Sequence, residues 1–268
     1  MLAAIIPVRN EESRIGRLLL RLRLIKDISR IIVVLNGSDQ FTIDEVEAVY
    51  RLDPFKMVNV HFPIALGIDV PRAVGAYLAY TSGMSHVLFM DGDLIGEITE
   101  DLNSFINASL SRKLDLSLVN CYPGKSGEIS SNELMICFRH LLNRELKLDG
   151  ELGSASPSHG PHLVSRRLLE AVPWNDFAVP PTLLVHARQN NLKIGIGGDI
   201  PHARLGSSIK SQLHCDLIVD TIAGDCLEAL CLWRRVPRAR GHGGRIYRGY
   251  HPERRFDLLN EFLSGHRM

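Results

Sequence analysis

The sequence predicts an α/β domain built on a mostly parallel sheet with helices on both faces. Short apolar or β-branched runs alternate with amphipathic helical patterns through residues 1–120, the mark of repeated β-α units. Most of those runs close on Gly, Pro, Asn or Asp. In such sheets ligands sit beyond the carboxyl ends of the strands, so the segments just after each strand are where chemistry is expected.

The first strand is the apolar run 3–8, closed by Pro7-Val8-Arg9-Asn10. Ile15, Leu18, Leu19, Leu22 and Ile25 then recur at helical spacing. A β-branched strand over 31–35 closes on the turn cluster Asn36-Gly37-Ser38-Asp39. A helix over 42–51 and a strand over 57–62 follow. Pro71 suits the first turn of a helix running to Tyr80. The strand over 87–90 ends at Asp91-Gly92-Asp93, Thr99 is the expected cap of a helix over 102–110, and a strand over 114–120 completes the series. The second half is less regular. Helices are predicted over 132–146, 165–171, 181–189 and 215–233, a strand over 192–196, and a Gly/Ser/Pro/His loop over 150–161. The Arg- and Gly-rich stretch after Arg234 reads as a mobile loop.

Composition narrows the function classes. The chain has 268 residues, 45% hydrophobic and 23% charged, enough for a sizeable core. A net charge of +1 gives no global field for nucleic acid. The 5 cysteines are odd in number and form no C-x-x-C pair, which fits reduced thiols rather than a disulfide framework. The start of the chain lacks the features of a signal peptide, and no apolar run reaches the roughly 18 residues of a membrane span. The expected location is the cytoplasm. A homodimer is compatible with the sequence.

The strongest chemical feature is Asp91-Gly92-Asp93 at the end of a buried strand. Two carboxylates at that spacing offer hard oxygen ligands for Mg²⁺ or Mn²⁺, and such an ion can neutralise a diphosphate leaving group. Gly92 would let a ligand approach the backbone. An isolated D-G-D is more often a turn; its place after a central strand favours the metal.

Three segments together resemble family 2-type glycosyltransferases of the GT-A fold. Ile5-Ile6-Pro7-Val8-Arg9-Asn10-Glu11-Glu12 is similar to their first-strand opening, Asn36-Gly37-Ser38 with Thr42 to their second-strand loop, and Asp91-x-Asp93 to their D-x-D motif. The resemblance covers residues 3–120 and continues more weakly to 215. It implies a metal-dependent hexosyltransferase that takes a sugar from a nucleotide-diphosphate donor of UDP or GDP type. Pro7, Arg9, Asn10 and Glu11 would line the nucleotide pocket, with Asn36 and Ser38 under the base. Asp91, Gly92 and Arg72 would lie near the donor phosphates. Asp69 stands where many relatives carry a basic residue. The domain implied is 1–233, divided into a nucleotide-sugar half (1–120) and an acceptor half (121–233), with a basic extension over 234–268.

The same resemblance assigns the remaining residues. Several GT-A enzymes, notably those similar to the mannosylglycerate and glucosyl-3-phosphoglycerate synthases, complete the metal site with a late histidine. His202 is the first choice for that ligand and His214 the second. The loop carrying His159, Gly160 and His162 would help form the acceptor site, for a small anionic or a lipid-linked acceptor. No Glu-Asp pair follows Pro161, so Asp176 is the nearest substitute for a catalytic base, and its absence tilts the reading toward a retaining enzyme. The arginines after Trp233 read as a lid over the phosphates, as a surface for an acidic acceptor or anionic membrane, or as a solvated tail. Two rivals remain. A sugar nucleotidylyltransferase would want a Gly-rich loop where Pro7-Val8-Arg9-Asn10 stands, and a silent nucleotide-sugar-binding module would not need the intact D-x-D.

Overall fold

The computed structural model describes residues 1–123, 133–207 and 211–265. A seven-stranded sheet runs in the order β3-β2-β1-β4-β6-β5-β7. Its strands are β1 (Leu2–Val8), β2 (Ile28–Asn36), β3 (Met57–Phe62), β4 (His86–Phe89), β5 (Leu116–Asn120), β6 (His162–Ser165) and β7 (Ile194–Asp199). Only β6 runs against the rest, inserted between β4 and β5. The chain leaves β1 toward β2 and β3, then returns to place β4 on the other side of β1. That reversal opens a crevice at the carboxyl ends of β1 and β4, where open α/β sheets bind ligands.

Two apolar layers hold the sheet. On one face α1 (Ile15–Leu24), α2 (Gln40–Leu52) and α4 (Thr99–Ser111) cover Ala4, Ile6, Val33 and Leu88. The helical face predicted for α1 is buried as expected, Ile25 included. Amides at its start are satisfied from outside: that of Ser13, just before the helix, and that of Gly16, in its first turn, donate to the Glu45 carboxylate of α2 at 2.6 and 3.1 Å. Asp39 caps α2 by accepting from the Thr42 amide at 2.8 Å. Thr99 is the first residue of α4 rather than its cap; Ile98 takes that place without a side-chain bond, and Glu100 and Asp101 face the helix dipole.

The opposite face is thicker. Here lie α3 (Val70–Thr81), α5 (Glu133–Glu145), α6 (Asp149–Leu152), α7 (Arg166–Ala171), α8 (Thr182–Gln189) and, beyond the short α9 (His202–Leu205), the long α10 (Gln212–Arg234). Residue 132, the expected start of α5, lies outside the described residues.

The stretch after Arg234 is folded onto this face. A hairpin of β8 (Gly241–His242) and β9 (Arg245–Ile246) leads to a 3₁₀ turn at His251–Glu253 and to α11 (Phe256–Gly265). Leu259 and Leu263 of α11 are buried, and Phe262 packs its ring against Phe62 and Tyr77 at 5.6 and 6.1 Å. The loop reading fails here because the arginines are tied down. Arg238, Arg240 and Arg254 are ion-paired to Asp176, Asp225 and Glu228.

Candidate active site

The crevice is lined by the segments that follow β1, β2 and β4 and by the first turn of α3. Asn36, buried at the end of β2, acts as a clamp. Its amide nitrogen donates to the Gly67 carbonyl at 3.1 Å and its oxygen accepts from the Leu66 amide at 2.6 Å. Ser38 donates to the Val8 carbonyl at 3.0 Å, and the Asp39 amide donates to Asn10 Oδ1 at 2.9 Å. These bonds tie the β1, β2 and β3 loops together. They also make Asn36 and Ser38 builders of the pocket wall, not free contacts under a base. Arg9 and Asn10 are exposed at the mouth, with Glu11 half-buried beside them. Pro7 is half-buried, and its carbonyl would lie 2.8 Å from a Cβ on Gly92. The missing side chain of Gly92 therefore serves the packing of β4 against β1, rather than the approach of a ligand alone.

Asp91 and Asp93 stand half-buried at the end of β4. Arg72, buried in the first turn of α3, bridges two carboxylates. Its Nε donates to Asp69 Oδ1 at 3.0 Å and its Nη2 donates to Asp91 Oδ1. Burial opposes the guanidinium charge, but Asp91 and Asp69 outweigh it and raise the Arg72 pKa above its ordinary value. Burial pushes the Asp91 carboxyl up, Arg72 pulls it back, and Asp93 and Asp69 add to the upward push. Arg72 Nη1 is buried with no partner among the described residues. Three crowded carboxylates with one arginine and an orphaned donor form a set that suits a divalent cation together with an anion.

Beyond β5 and β7 lies a group of rings around a buried arginine. Tyr122, His159 and His202 gather with centroids 5.5, 6.1 and 5.0 Å apart. The His202 amide donates to the Cys121 carbonyl at 2.9 Å, which docks α9 on the end of β5. Arg139 of α5, 1% exposed, donates to the Ser158 hydroxyl and carbonyl at 3.2 and 3.3 Å. It has no carboxylate partner among the described residues, and burial lowers its pKa. Burial, then the Arg139 charge, lowers His159 well below the usual imidazole range. His202 is lowered for the same two reasons. His162 is buried in β6, stacked on Phe89 at 4.9 Å, and lowered well below 6.5 by burial and then by Arg72. Gly160 adopts φ +70° in the turn before it.

Two expectations change. Asp176 is 3% exposed. It accepts from His186 Nε2 at 2.6 Å, and Arg238 Nη2 lies 2.7 Å from both of its oxygens. A carboxylate saturated in this way is structural, not a base. His202 is not gathered with the D-x-D either. Among the described residues, the one His/Cys/Asp/Glu trio whose ligand atoms lie within 4.8 Å of one another is Asp225, Glu228 and His251. That trio already holds cations, since Arg240 donates to Asp225 at 2.6 Å and to Glu228 at 2.7 Å and Arg254 to Asp225 at 2.7 Å. His214 is bonded through Nδ1 to the Tyr250 hydroxyl at 2.8 Å. Arg139 and Tyr122 were missed by the sequence reading because neither sits in a motif. A basic residue inside an apolar helix face was the available signal.

No protein-family model and no curated protein sequence matches the chain. Solved structures do. Glucosyl-3-phosphoglycerate synthase from Mycobacterium tuberculosis, in complex with Mn²⁺ and UDP-glucose, matches with a TM-score of 0.61 at 16% identity, over 90% of this chain and 81% of that one. The same enzyme in complex with Mn²⁺, UDP and glucosyl-3-phosphoglycerate gives 0.58 at 17% identity, over 90% and 82%. Its complex with Mg²⁺ and UDP gives 0.56 at 17% identity, over 90% and 81%. This chain has the GT-A fold. Within the GT-A architecture, Asp91-Gly92-Asp93 follows the strand at the sheet's reversal, and the Tyr122–His159–His202 group lies beyond the ends of β5 and β7. No helix among the described residues is long and apolar enough to cross a membrane.

Proposed function

We propose that the chain is a divalent-metal-dependent glycosyltransferase that moves a sugar from a nucleotide-diphosphate donor to the hydroxyl of a small anionic acceptor. The observation that carries this reading is the D-x-D at the crevice, where Asp91, Asp93 and Asp69 crowd around Arg72. Asp91 and Asp93 would hold Mn²⁺ or Mg²⁺; His202, which closes no trio with them in the described structure, would serve as third ligand only by moving toward them when the ion binds, and it is held toward the neutral, ligating form. When bound, the ion neutralises charge developing on the diphosphate leaving group.

The chain's own residues do the rest. Arg72 presents an unpartnered donor to the phosphates. Arg9, Asn10 and Glu11 border the nucleotide, with Pro7, Asn36 and Ser38 fixing the loops behind them. On the other side, Arg139 supports an anionic acceptor: a buried guanidinium without a carboxylate partner among the described residues is countercharge waiting for a ligand. His159 and Gly160 frame that subsite, with His162 buried behind them in β6. The neighbours' complexes with phosphoglyceric acid and glucosyl-3-phosphoglycerate lend support to a small acceptor of this charge.

Calorimetric titration with UDP and GDP, each with and without Mn²⁺, tests the reading. One nucleotide is expected to bind more tightly with the metal, and the increment is expected to vanish in Asp91→Asn and Asp93→Asn. Equal binding with and without Mn²⁺ would refute it.

A further inference from the structure

The C-terminal stretch reaches the D-x-D through an unbroken alternation of charge. Arg254, whose side chain is 0% exposed, donates to Asp225 Oδ1 and Oδ2 of α10 at 2.7 and 2.7 Å. It also donates to Asp69 Oδ2 at 3.2 Å and to the Ile68 carbonyl at 3.3 Å. Asp69 Oδ1 in turn accepts from Arg72 at 3.0 Å, and Arg72 donates to Asp91. Backbone packing holds the same junction: the Arg255 amide donates to the Leu66 carbonyl at 2.8 Å, and a Cβ on Gly67 would lie 2.3 Å from the Glu253 carbonyl oxygen. Asp69 sits at the N-cap of α3 with φ 61° and makes no side-chain capping bond. Its carboxylate is committed to the two arginines instead.

This arrangement decides how Arg72 meets the D-x-D. A guanidinium left alone with a carboxylate closes on both oxygens at once. Here Asp69 takes Nε, which closes the Nε/Nη2 edge of the guanidinium to Asp91 and fixes its orientation; Arg72 then touches Asp91 through Nη2 on Oδ1 and leaves Oδ2 free of it, with Nη1 turned away and unpartnered among the described residues. Asp69 can do this because Arg254, anchored on Asp225, fixes its other oxygen.

We propose that Arg254 is a positioning residue for metal–nucleotide binding, acting through Asp69 to stop Arg72 from capping both oxygens of Asp91. The proposal rests on reading the D-x-D as a metal–diphosphate site. Its test uses the full chain titrated with UDP and GDP, with and without Mn²⁺, in four forms: the unsubstituted protein, Arg254→Met, Asp69→Asn and the double variant. Asn tolerates the left-handed backbone at position 69 and leaves the Arg254–Asp225 pair intact, so this form remains informative even where Arg254→Met folds poorly. Each single change is expected to cut the Mn²⁺-dependent gain in affinity about tenfold, and the double variant to be no worse than the worse single one. In Arg254→Met the metal-free affinity is expected to stay within about twofold, which general loosening of the fold would not allow. An unchanged Mn²⁺ gain in Asp69→Asn, or additive losses in the double variant, would overturn the proposal alone. Absence of any Mn²⁺ gain in the unsubstituted protein would overturn the metal–diphosphate reading and the proposal with it.

Discussion

Asp91 carries two opposed demands. It must stay ionised to attract a cation, yet Asp93 and Asp69 crowd it and burial works against its charge. Arg72 resolves the conflict by supplying one positive charge shared between Asp69 and Asp91. A second residue-scale question concerns the third ligand. His202 lies at the start of α9, ring to ring with His159, and nothing in the described structure bonds its imidazole. His214 already bonds Tyr250. His202→Ala is therefore expected to weaken Mn²⁺ affinity about tenfold or more, and His214→Ala to leave it unchanged. Metal titration of the two variants, followed by Mn²⁺ paramagnetic resonance, checks this; equal affinities would remove His202 from the site.

At the scale of elements, residues 1–120 were legible because most strands there end in turn residues. The strand over 57–62 matches β3, and the helix through Pro71 matches α3. Two features were hidden. β6 is four residues long, His162–Ser165, too short to show alternation, and it is buried on both faces so that its polar ends looked like loop. The C-terminal segment was hidden for another reason. Its arginines carry the composition of a solvated tail, while their partners Asp225 and Glu228 lie on α10, 12 to 29 residues away in sequence. Charge pairing at that range leaves no periodic trace. Arg72 shows the same effect: its position was legible, its burial between Asp69 and Asp91 was not.

The docking of α11 can be measured directly. Leu259 is fully buried against the core that includes α3. Leu259→Ala is expected to destabilise the protein by about 3 kcal/mol through lost burial and the cavity left behind. Urea denaturation reads that loss as a lower midpoint with an unchanged slope. A change below about 0.5 kcal/mol would mean that α11 is not part of the cooperative unit.

For the molecule as a whole, the sheet separates two apolar layers, and the site is assembled where loops from both meet. That construction buries imidazoles at the crevice, and this has a consequence for stability against pH. His162, 1% exposed, has its pKa held well below 6.5 by burial and by Arg72, and burial with Arg139 does the same to His159. Between the folded value and 6.5 the unfolded chain binds a proton that the native chain refuses, so stability rises with pH in that window and falls as pH drops below about 6.5. His162 alone contributes at most the one-proton slope of about 1.4 kcal/mol per pH unit there. In a domain of this size that limit corresponds to a fall in Tm of roughly 3–5 °C per unit. Asp176 behaves in the opposite sense. Burial opposes its charge, but His186 and Arg238 hold its pKa below 3.8, so its contribution is kept at mildly acid pH and lost only as pH falls through that lowered value. The melting temperature is thus expected to decline from about pH 6.5, well above the carboxylate range. In His162→Gln, which does not titrate, the decline between about pH 6.5 and 5 should be shallower than in the unsubstituted protein. Parallel slopes in the two proteins would show that His162 accepts its proton without opening the crevice.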